Sequence, residues 1–358
     1  MKWHTVACLI IIFLAIYVAA SVVWYASMPC GHPSRPIVEI GQLQTAVQSY
    51  KEKHLQYPPC LAEASVQNRK VQFMRHVQVA FSNSNYGTLP EKFDRLNDAI
   101  QNGADGGQGY NCRDELNGQI VPLDLNRLDA AESLVFWLGG FPTPVDAHFN
   151  EQFARRQLFG FHRDLDRPFF RDTEQMEKKD PLRYRTEPFY QFDETRLVDN
   201  DADGWLEYSM MPQIGDAKVP PFVYFDAETY VSSLQDEAKL GSVRYPIGGA
   251  FAKEWGQAIP YLSWFDPSRP TEATWANPES FQIITAGFDN RYSWPPDERV
   301  ADRRLVVFPS GEKYQSLNGE PFRPIAMEKP EEDNYTNLSS ETIGKAIEQS
   351  IEWKPSKR

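Results

Sequence analysis

The stretch RLVDNDADGWLEY, residues 196–208, sets Asp199, Asp201 and Asp203 at alternate positions with Gly204 directly after them. Three carboxylates this close repel one another unless a positive charge sits among them. Oxygen-only ligand sets select hard ions, and D-x-D-x-D-G supplies positions one, three and five of a calcium loop. The glycine at position six permits the sharp turn that wraps the chain around an ion. Trp205 would offer its backbone carbonyl at position seven, and Glu207 its carboxylate at position nine. Met210 stands at position twelve, where an EF-hand places a bidentate Glu, and no entering helix precedes the loop. The spacing therefore predicts a short structural Ca2+ loop of Asp199, Asp201, Asp203, Trp205 and Glu207. The competing reading is an Asx-rich turn between two strands, its side chains bonded to their own backbone. A second acidic stretch, NGADGG at 102–107, has too few acids for a cation site.

Catalytic patterns are weaker. FHRDLDRPFF contains the His-Arg-Asp-Leu of a kinase catalytic loop, but Phe169 stands where its Asn is required. Neither a glycine-rich phosphate loop nor Asp-Phe-Gly accompanies it. His148, His162, Asp164 and Asp166 could gather a metal, or could be loop charges on a solvated face. No G-x-S-x-G, H-E-x-x-H or S-x-x-K constellation occurs, and six histidines are little material for acid–base work. The expectation is that the chain is not an enzyme.

With 358 residues, 41% apolar and 13% aromatic, the chain can build a substantial core. A net charge of −12 argues against nucleic acid as a partner, since such proteins present a basic face. From Thr5 to Ser27 no charged residue occurs, and 23 helical residues span roughly 35 Å, enough to cross a bilayer. Lys2 precedes this segment and no acid appears before Glu39, so the N-terminus is expected in the cytoplasm and the bulk outside it. A cleaved signal peptide ending near VAAS, 18–21, is the alternative; the apolar run continues past that point, which favours an uncleaved anchor. Outside the membrane, Cys30, Cys60 and Cys112 allow one disulfide or none.

The elements that must position the acidic loop can be read in outline. Pro29, Pro33 and Pro36 break helix. Beyond them Ile37, Ile40, Leu43, Val47 and Tyr50 recur at helical spacing, with Glu39 and Gln42 on the polar sides, up to Pro58 and Pro59. Residues 66–82 are weakly helical, and 83–122, rich in Gly, Asn and Asp, read as loop. LDLNRLDAAESLVFWLGGFP gives the clearest helix: Asp129 and Glu132 resemble a capping box, Leu128, Ala131, Leu134, Val135 and Leu138 form a stripe, and Gly139-Gly140 end it. Asp124 is an alternative cap. Residues 150–190 read as loop with short helices. From 191 on, PPFVYFDAETY, FQIITAGFD and RRLVVFPS suit antiparallel strands, and a last helix runs through Ile343, Ile347 and Ile351.

Several of these stretches together resemble type IV pilins and, more closely, large type II secretion pseudopilins. Tyr50 through Pro58 is similar to the Y-x-x-x-x-x-x-Y-P close of their N-terminal helix. Phe281, Ile283, Thr285, Ala286, Gly287, Asp289 and Tyr292 resemble the strand Y-x-I-x-S-A-G-x-D-G-x-Y. Asp333, Asn334, Thr336 and Asn337 resemble the late D-N-I-T-N-F element, and the helix at 128–140 and acidic stretch at 192–204 also have counterparts. The resemblance covers most of the chain in order. It departs at the N-terminus, where the prepilin signal, a Gly-Phe junction with Glu at the fifth mature position, is missing. Prepilin-peptidase processing is not expected.

The resemblance implies an α+β protein: a transmembrane helix, a pilin-like helix on an antiparallel sheet, and a helical and loop insertion. The expected parts are a membrane anchor at 1–28, linker and helix at 29–64, insertion at 65–190, sheet region with the acidic loop at 191–338, and a C-terminal helix and tail at 339–358. The implied role is structural, in a bacterial cell envelope, with the membrane and other pilin-like subunits or secretion-platform proteins as partners. The alternative is an anchored envelope binding module that never polymerises.

Overall fold

Helix α1, Ser34–His54, buries Ile40, Leu43, Ala46, Val47 and Tyr50 along one face, at the spacing the sequence predicts. In the computed structural model, residues 34–62, 65–81, 90–103, 108–113, 119–144, 157–173, 182–213, 217–232, 240, 242–246, 249–293, 302–326 and 332–352 are described. The apolar segment at 5–27 and Cys30 lie outside them; among the described residues no helix is long and apolar enough to cross a membrane. Pro36 does not interrupt α1. It sits in the first turn, where a missing N–H breaks no intrahelical bond.

The fold is mixed α+β with small antiparallel sheets. The sheet under α1 has strand order β12-β8-β5, from β5 (Val223–Asp226), β8 (Phe281–Thr285) and β12 (Tyr335–Thr336). Its register pairs Val223 with Ile284 and Thr336 with Ile284. A second sheet is formed by β9 (Asp302–Val306), β10 (Lys313–Leu317) and β11 (Arg323–Ile325), in the order β11-β10-β9. Three two-stranded ladders complete the strands: β1 (Asn111–Arg113) with β2 (Ile120–Pro122), β3 (Leu197–Val198) with β4 (Glu207–Tyr208), and β6 (Leu262–Trp264) with β7 (Thr274–Trp275).

Helices α2 (Val66–Ala80), α3 (Pro90–Asn102) and α4 (Ala130–Gly139) lie in the region expected as an insertion. The apolar core is continuous through them and the sheet region. Helix α3 and the β1–β2 hairpin fall where the sequence reads as loop. Phe93, Leu96 and Ile100 supply a buried face at i, i+3 and i+7 that the flanking Gly and Asn obscure. Helix α4 carries the capping box: Asp129 accepts from the N–H groups of Ala131 and Glu132, and Glu132 Oε2 accepts from the N–H of Asp129 at 2.8 Å. Asp124 instead holds the preceding turn, accepting from the N–H of Asn126. All of α4 is buried, so its apolar character is not a stripe but an all-round surface, as in a central core helix. Short helices α5 (Ala227–Ser232) and α6 (Gly249–Trp255) follow β5, and α7 (Ile343–Glu352) closes the chain with Ile343 buried. The described parts of 150–190 hold turns and isolated bridges, with no helix among them.

The stretches around Pro58, Gly287 and Asn334 meet around the main sheet. The carbonyls of Pro58 and Pro59 accept from Tyr224 Oη and Trp137 Nε1, and the N–H of Cys60 donates to Asp226. Asn337 accepts from the N–H of Ile283 at 2.9 Å and donates to the carbonyl of Phe281. Asn334 donates to the carbonyl of Tyr292. A Cβ on Gly287 would stand 2.0 Å from the Asp333 carboxyl, so a side chain there would have to push that carboxyl aside. Cys60 and Cys112 are both buried thiols and are not bridged to one another.

Candidate metal centre

The acidic loop connects β3 to β4, and its backbone turns as its composition demands. Gly204 has φ of 91° and Ala202 has φ of 65°, both in the left-handed region. Asp199 is held by the loop's own backbone: Oδ1 accepts from the N–H of Asp203 and Oδ2 from that of Gly204, each at 3.1 Å. Asp203 Oδ1 accepts from the N–H of Trp205 at 2.9 Å. The Trp205 side chain is buried, and its indole N–H donates to the carbonyl of Asp124. These bonds belong to the Asx-turn reading and are compatible with a cation as well.

The loop faces the N-terminus of α4. Ligand-capable oxygens of Glu132, Asp201 and Asp203 lie within 4.8 Å of one another, and so do those of Asp129, Glu132 and Glu207. Asp199 is in neither triad. Glu207 leaves the loop acids and joins the helix acids, where Tyr245 Oη donates to its Oε1 at 2.6 Å and Asn200 Nδ2 to its Oε2. Opposing them, the Arg127 guanidinium lies 3.4 Å from Asp203 Oδ2 and 4.0 Å from Asp201.

Burial and mutual repulsion set the electrostatics. Burial, with the fields of Asp203, Asp129, Asp201 and Glu207, holds the Glu132 carboxyl well above the usual range. Glu207 is raised well above it by burial and then by Asp129. Asp203 is raised by burial and then by Asp201. Burial lifts Asp129 to about 7 against the two backbone hydrogen bonds of the cap. Asp199 is lifted to about 6 by burial and by Asp201. Six carboxylates thus share one largely dry region, and its chemistry suits a hard cation bound by oxygen.

The sequence reading finds the loop acids but treats Asp129 and Glu132 only as a helix cap. A signal for their second role is present: Glu132 is an acid inside an otherwise apolar, wholly buried helix, where an unpaired charge is costly. Among the described residues, His162, Asp164 and Asp166 form no metal-ligand group. His162 is buried and paired with Asp172 at 3.3 Å, while Asp164 pairs with the exposed Arg167 and accepts from the N–H of Asp166. His148 and most of NGADGG lie outside the described residues. No protein-family model, no curated protein and no solved structure matches the chain.

Proposed function

We propose that this chain is a membrane-anchored, extracytoplasmic, pseudopilin-like structural protein of a type II secretion or type IV pilus-like system, with its globular part locked by Ca2+. The observation that carries the calcium assignment is the convergence of Asp129, Glu132, Asp201, Asp203 and Glu207 from two segments far apart in sequence. A cation there ties α4 to the loop that opens β4. The pilin-like assignment is supported by α1 lying on β8 and β12, and by the Tyr-Pro, Ala-Gly-x-Asp and Asp-Asn-x-Thr-Asn stretches meeting at that sheet. The role is structural rather than catalytic.

A second reading is favoured by one specific feature. The apolar segment Thr5–Ser27 holds no acid, where pilin-like subunits carry a glutamate for assembly, which suits an anchored envelope binding module that does not polymerise. Cross-linking in intact cells, followed by mass spectrometry of partners and of the N-terminal peptide, separates the two. Repeated cross-links to pilin-like subunits or a secretion platform are the expected result. An intact N-terminus with no such partners would overturn the assembly role in favour of the binding module.

A further inference from the structure

We propose that the carboxylate cluster takes two divalent cations, calcium in class, bridged by Glu132. This rests on the reading of the cluster as a calcium site and extends it. Ca2+–oxygen bonds run about 2.3–2.6 Å, so two oxygens on opposite sides of one ion stand about 4.8 Å apart. Each triad, with its oxygens within 4.8 Å of one another, therefore fits a single coordination sphere. The five acids form two such sets rather than one, and Glu132 is the member common to both. A carboxylate has two oxygens and can give one to each ion.

The two spheres differ in surroundings. Asp201, Asp203 and Glu132 form the outer one, with the Asp201 side chain 40% exposed and open to water. Asp129, Glu132 and Glu207 form the inner one, beside Asn200. Asn200 is 2% exposed, its Nδ2 donates to Glu207 Oε2 and to the Val219 carbonyl, and its Oδ1 has no hydrogen-bond partner. A buried amide oxygen left unsatisfied costs free energy, and amide oxygens are calcium ligands. In the outer sphere, the fully buried Asp203 Oδ2 likewise accepts no hydrogen bond, with Arg127 Nε 3.4 Å away. Asp199 completes six carboxylates, and the cations near them, Arg127, the more remote Arg69 and Lys218 against the Asn200 carbonyl, offset at most half of those charges.

The test is a calcium count on the full-length protein, stripped with chelator, dialysed against excess Ca2+ and analysed by plasma mass spectrometry. Two ions per chain are expected, with Asp203→Asn keeping one. Glu132→Gln, which retains an oxygen to accept the cap hydrogen bond, should hold at most one. One ion per chain in the wild type overturns the bridge and leaves a single calcium site standing; two in Glu132→Gln also overturn the bridge and leave two sites that do not share Glu132. No calcium in the wild type overturns both the bridge and the calcium reading. The wild-type count does not depend on any variant folding, and far-UV circular dichroism checks that the variants retain their helices.

Discussion

Glu39 on α1 is a part-buried carboxylate and Glu132 on α4 a fully buried one, and the molecule satisfies them differently. Glu39 accepts from Arg196 Nη1 at 2.7 Å, Tyr208 Oη at 2.6 Å and Tyr190 Oη at 2.5 Å. Arg196 also lies over the Tyr208 ring. Burial alone would push Glu39 up, but those three hydrogen bonds and the guanidinium hold it below the ordinary carboxylate range. Around Glu132 the neighbours are further acids, and its carboxyl is held well above that range. Glu39 is complete with protein groups alone. The Glu132 region becomes complete only when protons or cations are added.

Breaking the satisfied site should have the largest effect. Arg196→Met leaves the part-buried Glu39 without its cation and should cost about 3 kcal/mol, the low end for a broken pair because the Tyr190 and Tyr208 hydrogen bonds remain. Chemical denaturation should show the same loss in calcium and in chelator, whereas a loss confined to one condition would tie this ion pair to the metal centre. Calcium acts next. Each calcium site saturated at about 100 times its Kd should stabilise the wild type by about 2.7 kcal/mol relative to chelator. Asp201→Ala should lose most of one site's gain while matching or exceeding the wild type in chelator, where its repulsion of the other acids is gone, as thermal unfolding would show. Equal effects in both conditions would make the loop only a turn.

The pH dependence of the two sites should have opposite signs. Glu39 has a depressed pKa, so its contribution is present above the unfolded carboxylate pKa and is lost as pH falls below about 4. The cluster acids are raised, Asp199 to about 6 and Asp129 to about 7, so the chelated folded state binds more protons than the unfolded chain between about pH 4 and 7. Stability in chelator should therefore fall as pH rises through that window. In calcium the cation replaces those protons, and the fall should flatten or reverse. A midpoint in chelator that rises from pH 5 to 7 would contradict the cluster's electrostatics. The smallest effect is expected at Ala202, whose φ of 65° suits glycine better. Ala202→Gly should stabilise by about 0.5 kcal/mol, the strain relieved slightly exceeding the added chain entropy.

The same contrast explains what the sequence makes legible. The loop acids are read because position, spacing and glycine all lie within one short segment. Asp129 and Glu132 are read as a cap, which they form, but their meeting with Glu207 depends on a tertiary approach that no local spacing encodes. Glu39 sits at a polar position of α1, and nothing nearby in sequence announces Arg196, Tyr190 and Tyr208. Helix α1 and the strands β5 and β8 are legible from periodicity and β-branched runs, as is the start of β9. Helix α3 is not, because three apolar residues are diluted by polar neighbours and bordered by turn formers. In α4 the stripe is the visible part of a surface buried on every side.

The most direct test of the central claim is a crystal structure of the full chain with terbium in place of calcium, read from an anomalous difference map. Anomalous peaks should lie between the N-terminus of α4 and the loop at 199–207, within bonding distance of Glu132, Asp203 and Glu207 oxygens. A map without density there, with the six carboxylates unchanged, would contradict the assignment of a cation-locked fold.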